Sequence, residues 1–301
     1  MFKMNISYCF RPLQHDILLI VIYIALLTPL FTLASCESDD LPRQTDEIVV
    51  EGWIEDNGYP IVILSRTVNI SNKYQSVDSL SNYIIKWAKV TISDGEQQVV
   101  LTGKYTKDYF PPYIYTTSRL LGKAGKTYTI TIDCPNHHAT ATTTIPYPEP
   151  INELLVEKCA DSDTLYQISM QLKNTAEKHR FYQIFTRVGS ASRQYSAAPL
   201  GTIDTQVLTP NSKIMVMRGR SVLKKEYTPY FSITDTVAVK LASIDETSYN
   251  FWHDYTRSLT TNGNMFFSTQ EKIRSNITGG MGYWCGMGTT TKYVIIANAS
   301  Q

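Results

Sequence analysis

We predict a mainly β protein made of two β-sandwich-like domains, with one helix in the second. Three observations lead to this prediction. Turn dipeptides such as Asn57-Gly58 and Asp94-Gly95 separate short apolar segments, and these dipeptides supply the positive φ angles that tight hairpins need. Threonine alternates with apolar residues along 127–132, which is the period of a half-buried strand. One segment, near 244–259, has helical spacing of its apolar residues.

The first predicted domain covers 47–146 and contains about seven short strands. Its strand patterns are found at 47–54, 61–66, 89–93, 98–102, 127–132 and 139–145. A proline run follows at 146–150. Because proline cannot donate to a sheet ladder and holds the chain extended, we place the domain boundary there.

The second predicted domain covers 151–301. Its strand patterns are found at 166–173, 181–188, 213–217, 237–241 and 293–297. A capping box from Ser243 to Glu246 predicts where the helix starts, and Asn262-Gly263 predicts where it ends. One face of this helix carries Tyr249, Trp252, Tyr255 and Leu259. Such a stripe suits either a ligand platform or packing on a sheet, and we expect packing.

The N-terminus has the build of a bacterial lipoprotein signal. Lys3 and Arg11 precede an apolar segment at 17–33, and a lipobox follows at Leu33-Ala34-Ser35-Cys36. We therefore predict that residues 1–35 are removed and that lipid on the thiol of Cys36 anchors the mature chain to a bilayer. The alternative is an uncleaved transmembrane helix, but Pro29 interrupts the segment and acidic residues follow it.

An acidic tether is predicted at 36–46, because this segment has no apolar pattern and begins Cys36-Glu37-Ser38-Asp39-Asp40. The same run resembles the acidic export signal of Bacteroidetes-type lipoproteins that face outward from the outer membrane. We expect an outer-membrane location, with the cell-surface and periplasm-facing sides left as alternatives.

The predicted mature chain is neutral, because the net charge of +1 loses Lys3, Arg11 and Asp16 with the leader. A neutral chain without a basic run has no electrostatic footprint for nucleic acid. We therefore expect no nucleic-acid partner.

Three of the five cysteines remain when Cys9 leaves with the leader and Cys36 takes lipid. Among Cys134, Cys159 and Cys285, the first two are closest in sequence and are the candidate disulfide in an oxidising compartment. The odd number argues against a disulfide framework. The alternative is that at least one of them is a small buried apolar residue.

The chain resembles the Bacteroidetes lipoprotein family known as domain of unknown function 4249. The resemblance is carried by the lipobox, the acidic tail, the helix with Tyr249 and Trp252, and the segments 49–54, 60–67, 121–128, 262–264 and 275–284. It implies an outer-membrane lipoprotein with an immunoglobulin-like N-terminal part, often encoded beside TonB-dependent transporters and without an established activity. The family supplies no catalytic residues to transfer.

No catalytic or cofactor motif stands out, so we predict neither an enzyme nor a bound cofactor. The sequence lacks a nucleophile elbow, a zinc-protease helix, a Walker loop and a Cys-x-x-Cys pair. The histidines after the leader are His137, His138, His179 and His253. Neighbouring His137 and His138 would point to opposite faces of a strand, and Asp161-Ser162-Asp163 lacks the rest of a calcium loop. No metal site is predicted.

The glycine-rich run at 279–288 has a superficial likeness to a phosphate-binding loop. A dinucleotide loop opens a helix, whereas a strand pattern follows this run at 289–294. We therefore predict bulges or close backbone approach within a sheet. An exposed Trp284 in this run would be a contact residue.

Aromatic side chains crowd one stretch around Pro111-Pro112. They are Tyr105, Tyr109, Phe110, Tyr113 and Tyr115. On a loop, such residues give stiff, amphipathic contact area for sugars or protein partners. On a hairpin, they would be ordinary cross-strand pairs. We take them, with Trp284, as the predicted contact surface and leave hairpin packing as the alternative.

We expect a non-enzymatic outer-membrane lipoprotein that serves as an accessory binding or assembly partner of a TonB-dependent nutrient transporter. This expectation rests on the anchor, on the missing catalytic motifs and on the family resemblance. One alternative is a surface lipoprotein that binds a glycan or peptide by itself on its aromatic loops. Another is an adhesion or structural module.

Overall fold

A central eight-stranded sheet organises the fold. The computed structural model describes residues 47–67, 82–172, 179–191, 193–209, 212–220, 227–261 and 273–297. These residues are mainly β with one α-helix, which confirms the predicted fold class. In chain order the strands are β1 (Ile48–Glu55), β2 (Ile61–Arg66), β3 (Lys89–Ser93), β4 (Gln98–Val100), β5 (Thr102–Tyr105), β6 (Tyr113–Thr116), β7 (Thr127–Cys134), β8 (His137–Thr144), β9 (Glu153–Lys158), β10 (Leu165–Gln171), β11 (Phe181–Val188), β12 (Ser196–Asp204), β13 (Lys213–Val216), β14 (Phe231–Ser232), β15 (Thr236–Ile244) and β16 (Met281–Ile295).

Two smaller sheets accompany the central one. The central sheet has the strand order β12-β11-β15-β16-β1-β2-β6-β5. One four-stranded sheet has the order β4-β3-β7-β8, and the other has the order β13-β10-β14 with β9 paired to β10. β1 is parallel to β16 and antiparallel to β2. The first and last strands of the described chain therefore meet in the middle of the central sheet.

Both predicted hairpins are confirmed. β1 and β2 pair across a turn in which Asn57 has a φ of 57°, and β3 and β4 pair across Asp94-Gly95, where Gly95 has a φ of 88°. The single strand predicted at 98–102 is wrong. Leu101 is buried between β4 and β5, because the chain passes there from a small sheet to the central sheet.

Four strands, β6, β9, β12 and β14, have no counterpart among the predicted ones. β12 contains Pro199 and Gly201, and Leu200 between them has a positive φ of 57°. These residues interrupt the alternation on which a strand prediction depends. β14 has two residues only, which is too short for a pattern.

Alternation along β1 separates the two faces of the central sheet. Ile48, Val50 and Ile54 are buried on one face, while Glu51 and Trp53 point to the other. The first face packs on β3, β7 and β8 in one core and on β10, β13 and β14 in a second core. The opposite face packs against the helix. The arrangement is sandwich-like, with a small sheet over each half of one face.

The helix α1 (Glu246–Thr261) is capped by Asp245, which accepts the Ser248 backbone N–H at 2.8 Å. The predicted capping box is therefore wrong. Ser243 still lies in β15, where both neighbouring strands pair with it, and its buried hydroxyl has no hydrogen-bond partner among the described residues.

The predicted packing of the aromatic helix face is confirmed. Trp252 is buried, and Tyr249 and Tyr255 pack beside it on the sheet. The side chain of Leu259 and the predicted stop at Asn262-Gly263 lie outside the described residues.

The glycine-rich run, from Met281 onward, forms the first part of β16, which confirms close backbone approach within a sheet. A Cβ added to Gly286 would lie 2.8 Å from the carbonyl group of Thr144. The Gly286 N–H donates to the Thr143 hydroxyl at 2.8 Å. Glycine therefore lets the end of β8 cross β16 at short range.

The two predicted domains share the central sheet. Residues Thr45–Gln301 form one compact unit. The proline run at 146–150 contains no strand, yet strands from both sides of it join the same sheet. Each side also supplies most of one core. The division into two domains stays a prediction.

Candidate functional site

The predicted aromatic stretch is a hairpin of β5 and β6 with a loop between them. Tyr115 is buried, and its hydroxyl donates to the Ile85 carbonyl at 2.9 Å. Its ring meets that of Tyr113 edge-on, with centroids 5.6 Å apart. Burial raises the pKa of Tyr115. Tyr115 is therefore a core residue and the prediction of a contact role for it is wrong, whereas Tyr105 is exposed.

The loop between β5 and β6 is held by the segment that leads into β12. The Gln194 side chain donates to the Phe110 carbonyl at 3.1 Å and accepts from the Phe110 N–H at 2.9 Å. The backbone N–H groups of Arg193 and Gln194 reach the Asp108 carbonyl. Tyr109 packs on Trp53 with centroids 6.0 Å apart. Tyr109 and Phe110 are thus half-buried parts of a fixed loop.

Trp284 is fully buried, so the prediction that it is a contact residue is wrong. Its indole N–H donates to the Tyr128 carbonyl at 3.0 Å, across the first core. Its backbone is bracketed by Asn276, which donates to the Trp284 carbonyl at 2.7 Å and accepts from its N–H at 2.9 Å. The glycines around Trp284 therefore serve packing.

We use the name open sheet face for a set of residues on the helix side of the central sheet, of which Trp53 and Tyr195 also pack against the core beneath the helix. It comprises Trp53, Glu55, Arg187, Tyr195, Lys240, Thr289, Tyr293 and Ile295. Lys240 donates to Glu55 at 2.6 Å, and Thr289 donates to the same carboxylate at 3.2 Å. Lys240 is buried. This charge pair is held in a buried position and is not an accessible reactive group.

Tyr195 covers this charge pair. The Lys240 ammonium lies 4.0 Å from the centre of the Tyr195 ring, and the Arg187 guanidinium lies 4.9 Å from it. Burial is the main cause that raises the pKa of Tyr195. Further along β16 the same face carries Tyr293 and Ile295, which are 65% and 68% exposed. The ordered cluster of Tyr195, Lys240 and Arg187 therefore adjoins two exposed side chains with large apolar surface.

A half-buried carboxylic acid lies between the helix and the sheet. The Tyr283 hydroxyl donates to Glu51 at 3.3 Å. Burial raises the pKa of Glu51 to about 7, although the Tyr283 hydrogen bond opposes the shift. The two groups lie next to the aromatic cluster of Phe251, Trp252 and Tyr255. Among the described residues, burial and the Tyr283 hydrogen bond set the pKa of Glu51, and no charged neighbour contributes to the shift.

A second surface surrounds Trp87, which is 86% exposed. It borders an open cleft of about 440 Å³. The cleft is lined by Lys86, Trp87, Ala88, Lys89, Gly103, Tyr113, Tyr115, Asp133, Cys134 and Pro135. Of the predicted contact residues, this cleft brings together Tyr113 and Tyr115. The sequence prediction missed Trp87, although its place between two lysines in a segment without strand pattern was a usable signal.

The predicted disulfide between Cys134 and Cys159 is wrong, because these two residues and Cys285 are all thiols. Cys134 ends β7 in one small sheet and Cys159 follows β9 in the other. Cys285 is buried between the sheet and the helix, and burial raises its pKa. It is a small apolar packing residue, as the alternative predicted.

No three His, Cys, Asp or Glu side chains of the described residues form a group that would hold a metal ion. His138 hydrogen-bonds Asp133 at 2.7 Å. Asp163, in the segment with a partial calcium-loop pattern, pairs with Lys158 at 2.7 Å. These side chains pair locally on the surface.

The predicted lipid site, Cys36, and the tether at 36–46 lie outside the described residues. In the described part of the chain, no helix has both the length and the apolar character to span a bilayer. The anchor therefore stays a prediction from sequence.

Residues 36–293 match the model of the family described as Domain of unknown function (DUF4249). Comparison with curated proteins gives no match. The matched region starts at the predicted lipid site and contains the cleft at Trp87 and all of the open sheet face except Ile295. It covers well over half of the sequence, and the chain is therefore a member of the DUF4249 family.

Proposed function

We propose that this protein is a non-enzymatic lipoprotein of the outer membrane that serves as an accessory binding or assembly partner of a TonB-dependent nutrient transporter. The observation that carries the proposal is the exposed end of the open sheet face, where Tyr293 and Ile295 are exposed to solvent. They adjoin the ordered cluster of Tyr195, Lys240 and Arg187. Exposed apolar side chains that cluster on one face are typical of protein contact sites.

The buried part of the open sheet face is rigid, and this rigidity suits it to binding a partner. Lys240 and Thr289 both donate to the Glu55 carboxylate, and the Tyr195 ring packs against the cationic groups of Lys240 and Arg187. A contact surface whose rotamers are already fixed loses less entropy when a partner binds. The paired charges also leave no activated base or nucleophile on this face.

The location of the protein follows from the lipobox and the acidic tether. Lipid chains on Cys36 would hold the mature chain at a membrane, and the acidic run after it supports export to the outer membrane. A transporter embedded in the same membrane would then meet this protein at high local concentration.

Co-purification tests the proposal. The processed chain is extracted in mild detergent, and the transporter that accompanies it is identified by mass spectrometry. Ile295→Glu is expected to reduce the co-purified transporter about tenfold or more, because a charge in an apolar contact is costly. The matched control is Val207→Glu, since Val207 is 79% exposed and lies by the opposite end of β11.

The proposal fails if no transporter accompanies the wild-type chain, or if Ile295→Glu and Val207→Glu retain equal amounts of it. Circular dichroism of both variants checks that the fold is kept. Equal loss in both variants would also count against the open sheet face as the contact surface.

A second candidate function is capture of a glycan or peptide by this chain alone. Trp53 and Tyr109, with centroids 6.0 Å apart, adjoin the Glu55 carboxylate and the Thr289 hydroxyl. Aromatic faces beside hydrogen-bonding groups suit sugars. Calorimetric titration of the processed chain with candidate nutrients separates the two functions, since tight binding without a transporter favours capture.

A further inference from the structure

Among the large hydrophobic side chains of the described residues, the most exposed is that of Trp87. Trp87 is 86% exposed, and the lysines beside it, Lys86 and Lys89, are exposed too. We call these three residues the Trp87 patch. A tryptophan this exposed leaves a large apolar surface in water, and its burial against a partner would be favourable.

The Trp87 patch lies at the end of the molecule where the described chain begins. Gly280 contacts Ile48, the first residue of β1, and Gly279 contacts the backbone of His138. His138 pairs with Asp133, and Asp133 pairs with Lys89. This row of neighbours joins the start of β1 to the Trp87 patch along one edge of the molecule.

The chain that precedes β1 connects this end to the predicted lipid site. Eleven residue steps separate Cys36 from Glu47, which even fully extended span no more than about 40 Å. The Glu47 carbonyl accepts the Thr67 N–H at 3.1 Å, so the start of the described chain is fixed to the end of β2. If Cys36 carries lipid, the bilayer is within reach of this end of the molecule.

The chemistry of the patch fits a lipid surface. Tryptophan concentrates at the headgroup level of bilayers, where its ring is half apolar and its N–H meets water. Each lysine near an anionic membrane surface contributes about 1 kcal/mol. Among the residues that line the cleft, two lysines face one acid, Asp133, which leaves a net positive charge on this surface.

We propose that the Trp87 patch is a membrane contact, in which the Trp87 ring enters the headgroup layer and Lys86 and Lys89 bind anionic headgroups. This inference rests on the proposed lipid anchor at Cys36 and goes beyond it. The anchor then limits how far the protein lies from the bilayer, and the Trp87 patch sets the orientation of the protein relative to the bilayer. The open sheet face is left available for the partner of the proposed function.

Quenching of tryptophan emission by brominated lipid tests the proposal. The processed chain, shown by mass to carry lipid at Cys36, is reconstituted into vesicles of phosphatidylethanolamine and brominated phosphatidylglycerol. Of the other three tryptophans, Trp252 and Trp284 are buried in the fold and Trp53 is half-buried on the open sheet face, which limits their contact with lipid. Lipid-dependent quenching is expected in the wild type, and most of it is expected to be lost in Trp87→Phe.

The lysines are tested by a double variant that keeps Trp87. Lys86→Gln with Lys89→Gln is expected to weaken the contact about 30-fold, from about 1 kcal/mol for each lysine, so the quenching of Trp87 is lost although its ring remains. Circular dichroism of each variant checks the fold. The matched aromatic control is Tyr147→Phe, since Tyr147 is exposed elsewhere and its replacement should leave the quenching unchanged.

Equal lipid quenching in the wild type and Trp87→Phe would overturn the proposal. So would protection of Trp87 from aqueous acrylamide in native membranes but not in lipid vesicles, because a protein would then be the occupant of the patch. The starting material carries lipid by selection, so either result would count against the patch and not against the anchor.

Discussion

At the scale of single residues, two tryptophans show how little residue type says about position. Trp284 is fully buried and hydrogen-bonded to Tyr128, whereas Trp87 is 86% exposed. Both stand in segments without clear amphipathic pattern. Their difference arises because β8 and β7 cover β16, while nothing in the described chain covers Trp87.

Replacement of these two residues should have very different effects on stability. Trp284→Phe is expected to lower the free energy of unfolding by about 2–4 kcal/mol, because it opens a cavity and leaves the buried Tyr128 carbonyl without its donor. Trp87→Phe is the control and should change it by less than about 0.5 kcal/mol. Urea unfolding followed by circular dichroism measures both, and similar values for the two variants would contradict the burial of Trp284.

Glu51 makes stability depend on pH. Its pKa is about 7 in the folded protein against 4.5 for a glutamic acid side chain in water, so the unfolded chain releases its proton first as pH rises. The stability that comes from the protonated acid is complete below pH 4.5 and is lost as pH rises through about 7. Because Glu51 keeps some solvent exposure, we expect a decrease of about 2 kcal/mol.

The amide variant Glu51→Gln should flatten the free energy of unfolding between these pH values, since glutamine does not titrate. Glu153→Gln is the control, because Glu153 is exposed at the start of β9, and it should keep the wild-type slope. Urea unfolding measured across this pH range decides the matter. A wild-type slope in Glu51→Gln would show that another group titrates.

At the scale of elements, the start of the helix depends on a tertiary contact as well as on the local sequence. Asp245 caps the helix through Ser248 and also accepts the Thr143 hydroxyl at 2.9 Å. Thr143 in turn accepts the Gly286 N–H. One carboxylate therefore joins the helix to β8 and, through Thr143, to β16.

Loss of this cap should destabilise the protein. Asp245→Ala is expected to lower the free energy of unfolding by about 1–2 kcal/mol, because the first helical turn and Thr143 both lose an acceptor. Ser243→Ala should be close to neutral, since the Ser243 hydroxyl makes no hydrogen bond within the described part of the chain. Thermal or urea unfolding of both variants is the measurement. The reverse order of effects would restore the capping box predicted from sequence.

At the scale of the whole molecule, the pairing of β1 with β16 joins the two predicted domains. Gly282 in this pairing has a φ of 107°, and a Cβ there would lie 1.9 Å from the Val50 carbonyl oxygen. Gly189 also has a positive φ, of 73°, but has open space around it. These two glycines separate the cost of the backbone conformation from the cost of the clash.

Gly282→Ala should therefore lower the free energy of unfolding by about 3 kcal/mol or more, against about 1 kcal/mol for Gly189→Ala. Because β1 and β16 contribute to more than one core, we expect one cooperative transition that shifts as a unit. Calorimetry checks this. Two separate transitions, of which Gly282→Ala displaces one, would mean that the domains unfold independently.

The sequence by itself determined the elements whose evidence is local. These are the apolar strands such as β1 and β2, the strands β7 and β10 with alternating residues, the turns at Asn57 and Gly95, the aromatic face of the helix, and the strand nature of the glycine-rich run. Each depends on a period or a turn residue within a few positions. The predicted leader and lipid site have the same local basis.

Only the tertiary structure decided which aromatic residues are exposed, which residue caps the helix and how the strands are ordered. Glu51 and Tyr283 meet although they are 232 residues apart in the sequence, and Phe110 and Gln194 meet across 84 residues. A local pattern says that a side chain has one buried face, but not which distant segment covers it. Burial and pairing are properties of the assembled sheets, because the partner surface comes from elsewhere in the chain.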